Sequence, residues 1–216
     1  AVGGATGGVL RLGAGQDLSS TGLDALLDAY QASNRPAYAV LEFPGAGGYV
    51  TNMLPPPDRE RIVIAATEAG AGCAWYDDGL GSFSQGFFSE ILNGATVGAA
   101  FDRAALAAHE LRLTRDLLTY FQSKPRVHVV GDGDPRHAPE RLPVISFVVD
   151  DADPEDLVKE IDKSRVGMRW GHFYAVRLLN ALDLLQYKGV VRVSLVHYNT
   201  EAEVARLKDV LDKLVS

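Results

Sequence analysis

The chain has 216 residues, 47% of them hydrophobic and 23% charged, with a formal net charge of -7. That is a globular composition with enough chain for one large core or two small ones, and it excludes disordered and fibrous classes. The acidic balance, with no stretch mixing Lys and Arg among aromatics, excludes a nucleic-acid-binding surface.

No run approaches 18 consecutive apolar residues, and the start, Ala1 to Gly8, is glycine-rich rather than basic and then apolar. The expectation is a soluble, cytoplasmic protein with no membrane partner. The single Cys73 rules out an internal disulfide and fits a reducing compartment.

Taken in order, Val9-Leu-Arg-Leu12 reads as an edge strand. The stretch 17–30 reads as a helix, with Ser19, Ser20 or Thr21 as N-cap and Leu23, Leu26, Leu27 and Tyr30 at helical spacing. Buried strands follow at 37–43 and 61–67, the first ending in the turn Pro44-Gly-Ala-Gly-Gly48, which suggests a parallel α/β layer. Residues 82–92 form an amphipathic helix stopped by Asn93-Gly94, and a further helix runs from about Val97 to Phe121. A short strand at 125–130 then meets the break Gly131-Asp-Gly-Asp-Pro135.

The last part reads as strand, helix, strand, helix, strand, helix. Strands are expected at 142–149, 166–170 and 190–196, and helices after Asp153-Pro154, over 173–184 and after Thr200. Pro154 suits a first helical position, and Thr200-Glu-Ala-Glu203 is a capping box. In the third strand, alternation sends Val191, Val193 and Leu195 to one face and Val190, Arg192, Ser194 and Val196 to the other. Arg192 among valines either lies at an edge, snorkels or pairs with an aspartate, or else it reaches an anion.

The pattern Arg192-x-Ser194-x-x-x-Tyr198-Asn199-Thr200 before an acidic amphipathic helix resembles the small domain of class V aminotransferases and cysteine desulfurases. These are pyridoxal phosphate enzymes. The likeness extends through Arg141-Leu-Pro-Val-Ile-Ser-Phe147 and Met168-Arg-Trp-Gly-His-Phe-Tyr-Ala175, covering about 139–216. It implies that Arg192 grips a substrate α-carboxylate, with Arg169, His172 and Asn199 as further substrate-binding candidates. Tyr174 stands where desulfurases often carry their persulfide cysteine, so no sulfur relay is expected from that loop.

The earlier part resembles the C-terminal half of bacterial caspase-like cysteine peptidases related to legumain. The resemblance rests on the helix ending at Tyr30, Leu54-Pro-Pro-Pro, Gly81-Ser-Phe-Ser and Gly-Asp-Gly-Asp. Pro44, within Glu42-Phe-Pro-Gly-Ala-Gly47, takes the place of that family's nucleophile, and the first histidine of the chain is His109. The peptidase dyad is therefore expected to be absent.

The expected fold class is α/β: a caspase-like half-domain over 1–135, then a small α/β sandwich over 139–216 with a three-stranded sheet covered by helices. The sandwich follows from the alternating elements.

A Schiff-base enzyme needs a lysine presented to the cofactor aldehyde. Lys124, Lys159, Lys163, Lys188, Lys208 and Lys213 all read as solvated surface charges. Cys73 has no local partner to stabilise a thiolate. The acidic turn residues Asp132, Asp134, Asp151 and Asp153 do not complete a calcium loop, and no two histidines stand at zinc-ligand spacing, so no metal is expected.

The sequence therefore suggests a non-catalytic fusion needing no cofactor of its own. The alternatives are a pyridoxal phosphate protein acting on an amino acid, with a partner chain supplying the lysine, and a peptide-binding module. Expected partners are an amino-acid carboxylate and a homodimer mate or partner chain, since a half-domain leaves sheet edges unpaired.

Overall fold

The computed structural model describes residues 9–13, 15–73 and 82–215. Ala1 to Gly8, and Gly81 of the Gly81-Ser-Phe-Ser pattern, lie outside the described residues. The chain forms two compact units, Ala1–Ala105 and Leu106–Ser216.

In the first unit, β1 (Val9–Gly13) pairs antiparallel with β2 (Gln16–Ser19). Ser19 then caps α1 (Ser20–Gln31), its hydroxyl accepting the Gly22 N–H at 3.0 Å. β3 (Ala37–Leu41) and β4 (Arg61–Ala65) lie parallel, as the two apolar runs suggested. Period-two alternation divides their side chains between two helix layers. Leu41, Ala39, Val63 and Ala65 pack with Phe43, Tyr49, Met53, Leu23 and Leu27. Val40 and Ile64 pack with Phe83, Phe87, Ala100 and Ala104.

Those last side chains come from α3 (Phe83–Leu92) and the first turns of α4 (Val97–Gln122). The expected turn at 44–48 is present over 44–46, with the Ala46 N–H donating to the Phe43 carbonyl at 3.1 Å, and runs on into a short helix, α2 (Gly47–Val50). Gly47 has no room for a side chain, because a Cβ there would stand 2.7 Å from the Thr67 carbonyl oxygen. The Glu42 carboxylate closes the start of α3, accepting the N–H groups of Phe83 and Ser84 at 2.8 and 3.1 Å.

The second unit holds a four-stranded sheet in the order β5-β6-β8-β7, with every pairing antiparallel. Its strands are β5 (Val127–Val129), β6 (Val144–Val149), β7 (Arg169–Gly171) and β8 (Val190–Ser194). Three strands were expected. The fourth is the 125–130 run, assigned from sequence to the earlier part, which here pairs with β6 through Val127↔Val149 and His128↔Val148. Residues 131–140 are therefore no linker between the units. They carry a 3-10 turn, Pro135–Glu140, between two strands of one sheet.

The core of this unit lies on one sheet face. Phe147, Val149, Val191 and Val193 meet Leu117 and Phe121 of α4, Leu157, Val158 and Ile161 of α5 (Pro154–Asp162), and Val204, Leu207 and Leu211 of α7 (Glu201–Leu214). α5 begins as the sequence suggested, with Asp153 accepting the Glu155 N–H at 2.8 Å ahead of Pro154. α7 begins with the reciprocal Thr200 and Glu203 capping box.

The opposite face is covered at one end only. Val148 and Val190 pack there against Leu179 of α6 (Val176–Ala181), with Phe173, Leu184 and Tyr187 around them. The helix expected over 173–184 shrinks to α6 plus a 3-10 turn at Leu185–Tyr187. Its first two residues, Phe173 and Tyr174, take left-handed backbone with φ of 48° and 62°, which no α-helix accommodates.

Candidate functional site

β8 places its side chains as alternation requires. Val191 and Val193, with Leu195 just beyond, enter the core, and Arg192 emerges half-buried on the other face. Its neighbours across the sheet are polar rather than the valines expected from its own strand. Arg192 stands opposite Ser146 on β6 and opposite Arg169 on β7. Ser146, Arg192 and Arg169 thus form a row across three strands, at the end of the face that α6 leaves uncovered.

Two glycines set this register. Gly171 follows the arginine row on β7, and Gly189 precedes β8, with φ of 131° and 118°. A Cβ on Gly189 would stand 2.5 Å from the Gly171 carbonyl carbon, so only glycine lets the backbones approach.

Cross-strand partners have Cβ atoms about 5 Å apart, a distance at which like charges repel. Among the described residues neither arginine has a carboxylate partner. The Arg169 side chain donates to the Met168 carbonyl, at 3.3 Å. The Arg192 guanidinium lies over the Phe173 ring, its Cζ 4.2 Å from the centroid. A cation–π contact uses the face of the guanidinium and leaves its N–H donors for a planar anion.

The other two candidates take different roles. His172 is exposed, and its Nδ1 accepts the Tyr174 N–H at 3.1 Å while its carbonyl accepts the Ala175 N–H at 2.7 Å. It therefore builds the turn that carries Phe173. Asn199 is a turn residue between β8 and α7. Its Oδ1 accepts the Val196 N–H at 2.9 Å and its carbonyl accepts from His109 Nε2 at 2.7 Å. Asn199 lines a separate 110 Å³ cleft with Ser194, Glu203 and Arg206, to which Arg192 does not contribute.

Ser146 and Phe173 were not among the residues expected at the site. Ser146 was legible as a polar residue inside the apolar run 144–149. Phe173 was hidden because helical spacing assigned it to a helix face.

The remaining titratable groups are set for structure. Burial, with the Glu42 charge adding to it, pushes the Cys73 thiol up to about 11, the opposite of a reactive thiolate. The Arg136 side chain and backbone hold Asp134 at about 2, and the Asp134 backbone N–H together with His137 lowers Asp132. Among the described residues no three His, Cys, Asp or Glu side chains converge as a metal site. No helix among them is long and apolar enough to cross a membrane.

The sequence profile described as Aminotransferase class-V matches residues 93–207. Aminotransferase-like protein FGM3 of Gibberella zeae is 41% identical over 104 residues, which is 48% of this chain and 26% of that protein. A probable cysteine desulfurase of Pseudomonas putida is 34% identical over 122 residues, 56% of this chain and 28% of that protein. The matched stretch thus spans just over a quarter of these relatives. The apo structure of cysteine desulfurase from Thermococcus onnurineus NA1 aligns with 68% of this chain and 35% of its own at 21% identity, with a TM-score of 0.45.

The family match begins at residue 93, so α4 and β5 belong with the class V part rather than with a peptidase half-domain. The caspase-like resemblance of the earlier residues gains no support. A parallel strand pair between helix layers is too general a pattern to carry it. The expectation of a non-catalytic fusion leaned on that half and gains none either. The chain belongs to the class V aminotransferase family.

Proposed function

We propose that this chain supplies the substrate-carboxylate grip of a pyridoxal phosphate protein of the aminotransferase and cysteine desulfurase kind, acting on an amino acid, with Arg192 as the anchor. The observation that carries this reading is the apposition of Arg192 and Arg169 on a half-open sheet face with no carboxylate of the described chain between them. A bound carboxylate would accept two parallel N–H bonds from one guanidinium and lower the repulsion between the two.

The cofactor would supply an aldehyde for the substrate amine. Its anchor must be a lysine that is easily neutralised. The lysines here do not fit that role: Lys213 is exposed in the last turn of α7, and the other five are held in ion pairs. Lys124 pairs with Asp212 at 2.6 Å, Lys159 with Glu155 at 2.9 Å and Lys208 with Asp116 at 2.7 Å. Lys163 pairs with Glu160, and Lys188 with Asp153. The bond to Asp153 raises Lys188, and that to Glu155 raises Lys159, which favours the charged amine. The anchoring lysine would come from outside these residues, either from further sequence of the same polypeptide or from a partner chain.

The test is a calorimetric titration with L-alanine of wild type and of Arg192→Ala. Wild type should bind, and Arg192→Ala should lose binding while its thermal unfolding stays that of wild type. Equal binding by Arg192→Ala would sink the proposal.

A further inference from the structure

Arg192 carries a long side chain on a half-exposed face, directly opposite a like charge, so repulsion and rotamer freedom both work against one fixed guanidinium position. The Phe173 ring opposes that tendency. It lies under the guanidinium, with Cζ 4.2 Å from its centroid.

The ring is itself held from three sides. It packs against the cluster of Val148, Leu179 and Val190. Its backbone is in the left-handed region, φ 48°, with Tyr174 following at 62°, conformations sparsely populated for bulky residues. Both bonds that close this turn come from His172, whose Nδ1 accepts from Tyr174 and whose carbonyl accepts from Ala175. Tyr174, by contrast, is 99% exposed, so of the two aromatic residues only Phe173 is turned inward.

We propose that Phe173 is the positioning residue for Arg192, its ring fixing the guanidinium beside Arg169 with the N–H donors free for a carboxylate. The inference rests on the carboxylate reading of Arg192. It assigns the left-handed pair Phe173 and Tyr174 a purpose: it delays α6 to Val176 and leaves the ring beneath the arginine.

The experiment uses the full chain with isotope-labelled arginine, comparing wild type with Phe173→Leu, which keeps apolar bulk without the π face, and Phe173→Tyr, which restores it. In wild type the ring current should shift the Arg192 side-chain signals upfield. Phe173→Leu should remove that shift and weaken L-alanine binding by about three- to ten-fold, the range expected for a partly desolvated cation–π contact. Phe173→Tyr should return both towards wild type. Should Phe173→Leu fail to fold, Phe173→Met provides the same comparison.

An unchanged Arg192 shift and unchanged alanine affinity in a folded Phe173→Leu protein would overturn the proposal. If wild type binds no alanine, the carboxylate reading falls. The positioning claim is then decided by the Arg192 signals alone: loss of the shift in Leu with recovery in Tyr upholds it, and an unmoved shift refutes it.

Discussion

Arg169 and Arg192 face each other directly across the β7–β8 ladder. Two cations at cross-strand distance destabilise the sheet by up to about 1 kcal/mol at low salt, and added salt or a bound anion relieves this. Arg169→Ala should therefore raise the stability of the second unit by a few tenths to about 1 kcal/mol at low ionic strength. The gain should vanish by 1 M salt, where the screening length is only about 3 Å. Urea unfolding at two salt concentrations measures this. A loss of stability at low salt would show that Arg169 is held by something other than an open anion site.

The apposition depends on Gly189. Gly189→Ala would put a Cβ 2.5 Å from the Gly171 carbonyl carbon, at a φ of 118° that disfavours any side chain. The expected outcome is a loss of about 1–3 kcal/mol together with weaker alanine binding, because β7 must move away from β8. Denaturant midpoints beside an alanine titration check both parts.

Much of this arrangement was legible beforehand. Alternation in 190–196 put Arg192 on the face opposite Val191 and Val193, and Pro154 and Thr200 marked two helix starts where they stand. The arginine pair was not legible, because register belongs to strands far apart in sequence, and no local pattern says that Arg169 meets Arg192 rather than Ser194. Residues 125–130 read as a strand but did not announce β6 as their partner. Phe173 and Tyr174 have ordinary helical spacing, and the packing of Phe173 on Leu179 and Val190 overrides it. Asn199 matched a family pattern, yet its side chain serves the turn before α7.

In the first unit, the Arg61 side chain is 1% exposed and reaches Asp24 and Asp28 on α1, each at 2.6 Å, while its Nε donates to the buried Gln31 Oε1 at 2.7 Å. This network ties α1 to β4. Removing the shared cation takes the Arg61 donor from Gln31 Oε1 and leaves two carboxylates without their common partner. Arg61→Met should cost about 3 kcal/mol, and Asp28→Asn clearly less, since Asp24 and Gln31 still hold the guanidinium. Thermal unfolding of the two variants provides the comparison, and equal losses would contradict the network.

Cys73 should be an unusually slow nucleophile. Burial first, then Glu42, raises its thiol from 9.0 to about 11. At pH 8 it should carry roughly a hundredth of the thiolate of an ordinary cysteine. Alkylation by iodoacetamide should keep accelerating up to pH 11 rather than levelling near 9. Because the folded state disfavours the thiolate, the group's contribution to stability is full below pH 9 and declines as pH rises towards 11. A rate that plateaus near pH 9 would show that the thiol is not perturbed.

Carboxylate recognition here rests on Arg192. The most direct measurement compares L-alanine with L-alaninamide, which differ only in replacing the carboxylate by a neutral amide, on wild type and on Arg192→Lys. Alanine should bind and alaninamide should not, and Arg192→Lys should weaken alanine by about 1.5–3 kcal/mol through loss of the planar fork. Binding of both ligands with equal affinity, unaffected by Arg192→Lys, would contradict carboxylate recognition by Arg192.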